Sequence, residues 1–126
     1  MPLVDSDILI DVLRLHPPAI QWMTHLRESL FVPGFVAMEL YNGTASQRDL
    51  KAVDDLLRPC EIVWPSIRTC NDALRHHRDV HLSNAIGIID VMNAYISLER
   101  LTPLFTFNVK HYRAITNLRT IQPYTR

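Results

Sequence analysis

The sequence predicts an α/β protein with a central, mostly parallel sheet of four to five strands. Short apolar runs such as Leu3–Val4, Leu30–Val32, Ile62–Trp64 and Pro103–Phe107 recur between longer segments of helical periodicity, the alternation that parallel strands joined by crossover helices produce. No repeat, low-complexity tract or linker interrupts the pattern. An acid, Asp5, stands where the first run ends, and open parallel sheets bind their ligands beyond the carboxyl ends of the strands.

Taken in order, residues 2–5 read as the first strand, and Ser6 reads as the N-cap of a helix running to about Arg14. Pro17-Pro18 interrupts the pattern before a second helix from about Ala19 to Glu28. Leu30–Val32 is a short second strand, and Pro33-Gly34 signals a turn before a helix that carries Glu39 and stops near Gly43. Ser46 has the chemistry of an N-cap for a helix to Arg58, whose inward stripe is Leu50, Val53, Leu56 and Leu57. Ile62–Trp64 gives a third strand ended by Pro65. Residues 67–80 and Ile88–Leu101 read as helices, the latter strongly apolar with Asp90 in its first turn. Pro103–Phe107 is a fourth strand, Lys110–Ile115 a short helix, and Arg119–Ile121 an edge strand.

A chain of 126 residues is long enough to bury about two thirds of its unfolded surface in one core, so residues 1–126 are expected to form a single domain. Its 48% hydrophobic and 21% charged content excludes intrinsic disorder, and no apolar run reaches the roughly 20 residues of a membrane helix. The start, Met1-Pro2-Leu3-Val4-Asp5, lacks the basic and apolar segments of a signal peptide, which predicts a cytoplasmic protein. Cys60 and Cys70 have no ligand-pair spacing and are expected to be reduced thiols. A formal net charge of zero supplies no basic field to advertise a nucleic-acid partner, although arginine greatly outnumbers lysine, which occurs only at Lys51 and Lys110. Arg75-His76-His77-Arg78 with His81 offers a phosphate-facing patch, with a solvated helix face as the simpler reading.

Three acids stand out because their surroundings are apolar: Asp5 at the end of a strand, and Glu39 and Asp90 at helix starts. Carboxylates in such settings are costly unless paired, hydrogen-bonded or bound to a cation, and several together repel. A divalent metal answers both problems. Each acid has a simpler role available, since Asp5 and Asp90 also stand where a carboxylate favours a helix N-terminus.

Leu3-Val4-Asp5-Ser6-Asp7-Ile8-Leu9-Ile10 resembles the opening of PIN-domain ribonucleases of the VapC toxin type, with Asp7 where Asn is usual. Met38-Glu39-Leu40-Tyr41-Asn42-Gly43 resembles their second motif and Ile89-Asp90-Val91-Met92-Asn93-Ala94-Tyr95 their third, while Leu104-Phe105-Thr106-Phe107-Asn108-Val109-Lys110-His111-Tyr112 is similar to their strand and T-x-N segment preceding the last short helix. Four motifs occur in register over nearly the whole chain. The resemblance implies a three-layer α/β/α fold and a Mg²⁺- or Mn²⁺-dependent endoribonuclease, the dimeric toxin of a toxin–antitoxin pair inhibited by a cognate antitoxin. It implies Asp5, Glu39 and Asp90 as the metal-binding, catalytic acids, with the fourth acidic place falling at or near Asn108. In that reading Asp5 and Asp90 hold metal, Glu39 binds it directly or through water, and Ser6, Asp7 and Asn108 orient ligands or waters.

Two rival functions are carried forward. Asp5-x-Asp7 after a strand is also similar to the start of a haloacid-dehalogenase-like phosphatase, in which the first Asp is a nucleophile and the second an acid/base. A non-catalytic PIN-like module binding RNA or a protein partner is the other. Asp11 reads as a surface acid, exposed or paired with arginine. His77 and His81, one helical turn apart, form a zinc pair only if a third ligand approaches. Trp22 and Trp64 are expected in the core or a dimer interface, and Trp22, Phe31, Phe35, Met38 and Tyr41 are candidates for a homodimer or antitoxin surface.

Overall fold

The first strand, β1 (Leu3–Val4), is only two residues long, and its neighbours explain why that suffices. In the computed structural model, which describes residues 1–83 and 86–126, β1 is the middle of a five-stranded sheet ordered β3-β2-β1-β4-β5. The other strands are β2 (Phe31–Pro33), β3 (Glu61–Val63), β4 (Leu104–Phe105) and β5 (Thr120–Ile121). All four pairings are parallel. Successive strand residues point to opposite faces, and Leu3 and Val4, both fully buried, enter different apolar clusters.

Those clusters make a three-layer α/β/α protein. On one face, α1 (Ser6–Leu13), α2 (Pro17–Thr24), α3 (Gly34–Asn42) and α4 (Gln47–Leu57) bring Ile8, Leu9, Val36, Leu40, Val53 and Leu57 onto Val4 and Val32. On the other, α5 (Ile67–Val80), α6 (Ile88–Arg100) and α7 (Val109–Tyr112) set Ala73, Val91, Ala94, Ile96 and Tyr112 against Leu3, Val63 and Leu104. The expected fold class and strand count are therefore observed.

The local corrections have physical causes. Asp5, not Ser6, is the N-cap of α1: its backbone is extended, and its side chain accepts from the Ser6 N–H at 2.8 Å. Pro17 and Pro18 open α2 rather than delay it, because proline's fixed φ and missing N–H suit a first helical turn; α2 then ends at Thr24, short of Glu28. Pro33 closes β2 and Gly34 begins α3 directly, leaving no separate turn. A Cβ on Gly34 would lie 2.2 Å from the Trp64 ring, so glycine is what lets the indole close over this junction. Ser46 caps α4 as expected, accepting from the Asp49 N–H at 3.1 Å.

Asp11 is buried rather than on the surface. It is paired with arginine, as one form of the expectation had it, but through the chain's far end: Arg126 donates from Nε at 3.1 Å and from Nη2 at 3.0 Å, and the Tyr124 hydroxyl donates at 2.7 Å. Burial alone would raise the Asp11 carboxyl, but these donors outweigh it and hold the carboxyl below its ordinary range. The same tail seats Tyr124 against Phe107 and Trp22, with ring centroids 4.9 Å and 6.3 Å away. Asp11→Asn is expected to lower stability by about 2 kcal/mol, the order lost when a charge-assisted bond at a buried carboxylate is weakened. Denaturant titration checks it; an unchanged midpoint would show that the Asp11 carboxylate's bonds to Tyr124 and Arg126 contribute nothing to stability.

Candidate active site

The site lies at the carboxyl end of the sheet, where β1 and β4 hand over to α1 and α7. Asp5 follows β1 without a loop, is 1% exposed, and its N–H donates to the Phe105 carbonyl at 3.0 Å, which ties it to β4. Its Oδ1 accepts from Ser6 N–H at 2.8 Å; its Oδ2 accepts from the Thr106 hydroxyl at 2.9 Å and the Tyr112 hydroxyl at 2.8 Å. Burial, and next the charge of Asp7, push the Asp5 carboxyl up to about 6, against these donors. Asp90, in the first turn of α6, approaches from the other side: its Oδ1 is 3.3 Å from the same Tyr112 hydroxyl, and its Oδ2 is 3.2 Å from His111 Nδ1. One phenol thus stands between two carboxylates.

Glu39 sits on the exposed side of α3, and burial, then the charges of Asp5 and Asp90, raise its carboxyl. Glu39 therefore feels the charge of both Asp5 and Asp90. Among the described residues, no three His, Cys, Asp or Glu side chains close on a common point as a ready-made metal cage. The donors still fit a hard divalent cation. They are oxygens, their charges are mutually unfavourable, and Mg²⁺ keeps several waters while taking only one or two carboxylates.

Asp7 faces the end of β4 rather than the crevice: its Oδ2 accepts from the Phe107 N–H at 2.8 Å and lies 3.4 Å from the Thr106 hydroxyl, and its Oδ1 takes the Ile8 N–H at 2.9 Å. It is 8% exposed, and burial raises its carboxyl. So placed, it has no access to a substrate as the acid/base of a phosphatase; it fixes the β4–α7 junction. Ser6 contributes its backbone N–H. Asn108 stands at the start of α7, where its N–H donates to Thr106 Oγ1 at 3.0 Å and its side chain makes no capping bond.

Sequence reading missed Thr106, Tyr112, His111 and Asn93 as parts of this site. Thr106 lay in the T-x-N segment, and Asn93, His111 and Tyr112 fell within the matched motifs without being given a role. Asn93 is fully buried on α6, and neither its Oδ1 nor its Nδ2 has a hydrogen-bond partner.

Arg75 pairs with Asp72 and Arg78 with Asp79, while His76 turns onto Tyr95, so the basic cluster on α5 is largely neutralised by its own helix. The His77 and His81 ring centroids are 5.8 Å apart, with no third ligand among the described residues. Cys60 and Cys70 are free thiols. Trp22 is half-buried against Phe105, whereas Trp64 is 54% exposed and meets Phe35 edge-on. Trp22 and Phe35 pack into different clusters, so the five suggested interface residues do not form one patch.

Residues 3–115 match the PIN domain family model. The chain belongs to the PIN-domain family. No curated protein matches it. Among solved structures it is similar to a toxin–antitoxin complex from Klebsiella pneumoniae, at 17% identity and TM-score 0.79 with 100% of both chains covered. It is also similar to VapBC2 from Rickettsia felis bound to a promoter DNA fragment, at 19% identity and TM-score 0.80, covering 94% of this chain and 96% of that one. DNA-bound VapBC from Salmonella typhimurium gives 19% identity and TM-score 0.80, covering 96% and 98%. At such identities the likeness establishes the fold alone. No helix among the described residues of this PIN protein is long and apolar enough to cross a membrane.

Proposed function

We propose that this PIN protein is a Mg²⁺- or Mn²⁺-dependent endoribonuclease, the toxin of a VapBC-type pair, acting as a cytoplasmic homodimer of single-domain chains and inhibited by a cognate antitoxin. The observation that carries the reading is the pairing of buried Asp5 with Asp90 across one hydroxyl, with Glu39 coupled to both. A divalent metal bound there supplies an activated water and stabilises charge on the phosphoryl and leaving oxygens. A carboxylate offers about four lone-pair sites; Ser6, Thr106 and Tyr112 occupy three on Asp5, leaving one for a cation. Asp90 completes the pair of direct ligands, and Glu39, more exposed, holds metal or its water. Thr106 and Asp7 keep Asp5 and the β4 end in register, and Asn108 faces the RNA phosphate or a metal water.

The antitoxin is supported by a groove of about 430 Å³ between α1, α3 and α4, whose walls include Ile10, Leu13, Leu40 and Val53 and which reaches Glu39. An apolar peptide lying there with an arginine at its end would bring a cation to the acids. The homodimer is supported by exposed Met38 in the middle of α3 and by exposed Trp64 and Ile67 at the β3–α5 junction.

The deciding experiment incubates the purified protein with structured and single-stranded RNA in Mn²⁺ or Mg²⁺ beside an EDTA control. Internal cleavage that EDTA abolishes is expected. Binding of RNA without any metal-dependent cleavage would overturn the nuclease reading in favour of a binding module.

A further inference from the structure

Trp64 stands outside both apolar clusters and is 54% exposed, yet it is tightly seated. A Cβ on Gly34 would fall almost equally close to Cη2, Cζ2 and Cε2 of the indole, and three neighbouring ring atoms at nearly one distance put the glycine under the face of the ring, not at its edge. With one face seated on backbone, an exposure of that size belongs to the opposite face. Phe35 meets the indole edge-on, with ring centroids 5.3 Å apart and planes at 77°, which fixes its tilt. The exposed face is therefore held in place before anything binds, which lowers the cost of binding to it.

Sheet register sets this face on the same rim as the acids. Leu3 pairs with Phe31, Phe31 with Glu61, and Pro33 with Val63, so Asp5, Pro33 and Val63 share one row across β1, β2 and β3. Trp64 is the next residue beyond that row, at the carboxyl end of the sheet. Two interstrand spacings, about 10 Å, separate the Asp5 and Trp64 strands along the rim. A short stretch of single-stranded RNA spans that distance, and every base has a flat π surface that stacks on an indole.

We propose that the outer face of Trp64 is a base-stacking platform for single-stranded RNA, holding a nucleotide close to the phosphate that lies at Asp5 and Asp90. The inference rests on the ribonuclease reading above and adds to it a substrate contact away from the acids. A formal net charge of zero gives the protein no basic field, so stacking supplies affinity that phosphate contacts do not. A second copy of the chain is the competing occupant; the row shared with Asp5 favours a base, because substrate must lie along that rim and a dimer contact need not. Met38 and Ile67 are then left to the homodimer.

The test measures Mn²⁺-dependent cleavage of a single-stranded RNA oligonucleotide, RNA binding by fluorescence anisotropy, and sedimentation, on wild type, Trp64→Phe and Trp64→Ala, with a series of oligonucleotides each lacking one base. Trp64→Ala is expected to raise KM about tenfold, the loss carried by one base–aromatic stack, with kcat changed far less, and Trp64→Phe to recover most of that loss. In wild type one abasic position near the cleaved bond should raise KM by a similar factor. In Trp64→Ala the same position should cease to matter, because the two changes remove one contact. A wild-type KM in Trp64→Ala, or a raised KM with no abasic position silenced, would overturn the proposal and leave the nuclease reading intact. Conversion of a dimer to a monomer at unchanged KM would do the same and make Trp64 an interface residue. RNA binding that Trp64→Ala weakens, without metal-dependent cleavage by wild type, would keep the platform and overturn the nuclease reading. A wild type that neither cleaves nor binds RNA would overturn both.

Discussion

Asp5→Asn is expected to reduce metal-dependent RNA cleavage by orders of magnitude while leaving the fold intact, and Asp90→Asn to do the same. An amide keeps the shape of the carboxyl group but cannot hold a divalent cation by charge. The surroundings of Asp5 tolerate the exchange. An Asn oxygen can still accept from the Ser6 N–H, and the two hydroxyls that now donate to Oδ2, those of Thr106 and Tyr112, can rotate to accept from an amide N–H₂. The Tyr112 proton is then released to Asp90, 3.3 Å away. Because Asp5 is buried with a carboxyl raised to about 6, its charge destabilises the metal-free protein at neutral pH, and Asp5→Asn should melt at or above the wild-type temperature. Asp11→Asn should show the reverse pattern, with cleavage retained by the folded fraction and lower stability. Cleavage rates and melting curves on the same preparations decide the matter. Wild-type-like cleavage by Asp5→Asn would remove the assignment of this carboxylate to the metal.

The contrast between Asp5 and Asp11 shows what was legible in the sequence. Asp5 was readable because a strand-ending acid is a local signal, and the parallel fold makes the end of a central strand a binding position. Asp11 was read as a surface residue because its partners, Tyr124 and Arg126, are more than a hundred positions away, and nothing local announces a tail that returns to α1. Asn93 and Tyr112 were hidden for a related reason: a polar atom on a mostly apolar helix declares its use only once α6 and α7 are brought together. The Tyr112 ring belongs to the core, while its hydroxyl belongs to the site. The boundary errors at Pro17-Pro18 and Pro33-Gly34 share one origin, since the fixed φ that ends one element is compatible with starting the next.

Stability of the metal-free protein is expected to fall as pH rises through about 6, and a divalent metal is expected to reverse that fall. The Asp5 carboxyl is raised from 3.8 to about 6 in the folded protein, so the folded state binds a proton that the unfolded chain has already released. The stabilisation is fully present below the unfolded value, near pH 4, and is lost as pH rises through the folded one. A displacement of that size corresponds to about 3 kcal/mol in full; about half of it is lost between pH 5 and pH 7.5, a melting temperature lower by about 5 °C at the higher pH for a domain of this size. Asp7 and Glu39, raised by burial, act in the same direction. Asp11 acts in the opposite one, because its lowered carboxyl loses its contribution only when acid protonates it against Arg126, so stability should peak near pH 4 and decline on both sides. Millimolar Mn²⁺ should raise the melting temperature at pH 7.5, where the carboxylates are charged, and do much less at pH 5, where protons compete for the same oxygens. Calorimetric scans across pH with and without Mn²⁺ test both halves. The alkaline-side fall should shrink sharply in Asp5→Asn, leaving only what Asp7 and Glu39 contribute, and its survival at full size would mean that other groups, not this buried carboxyl, set the pH dependence.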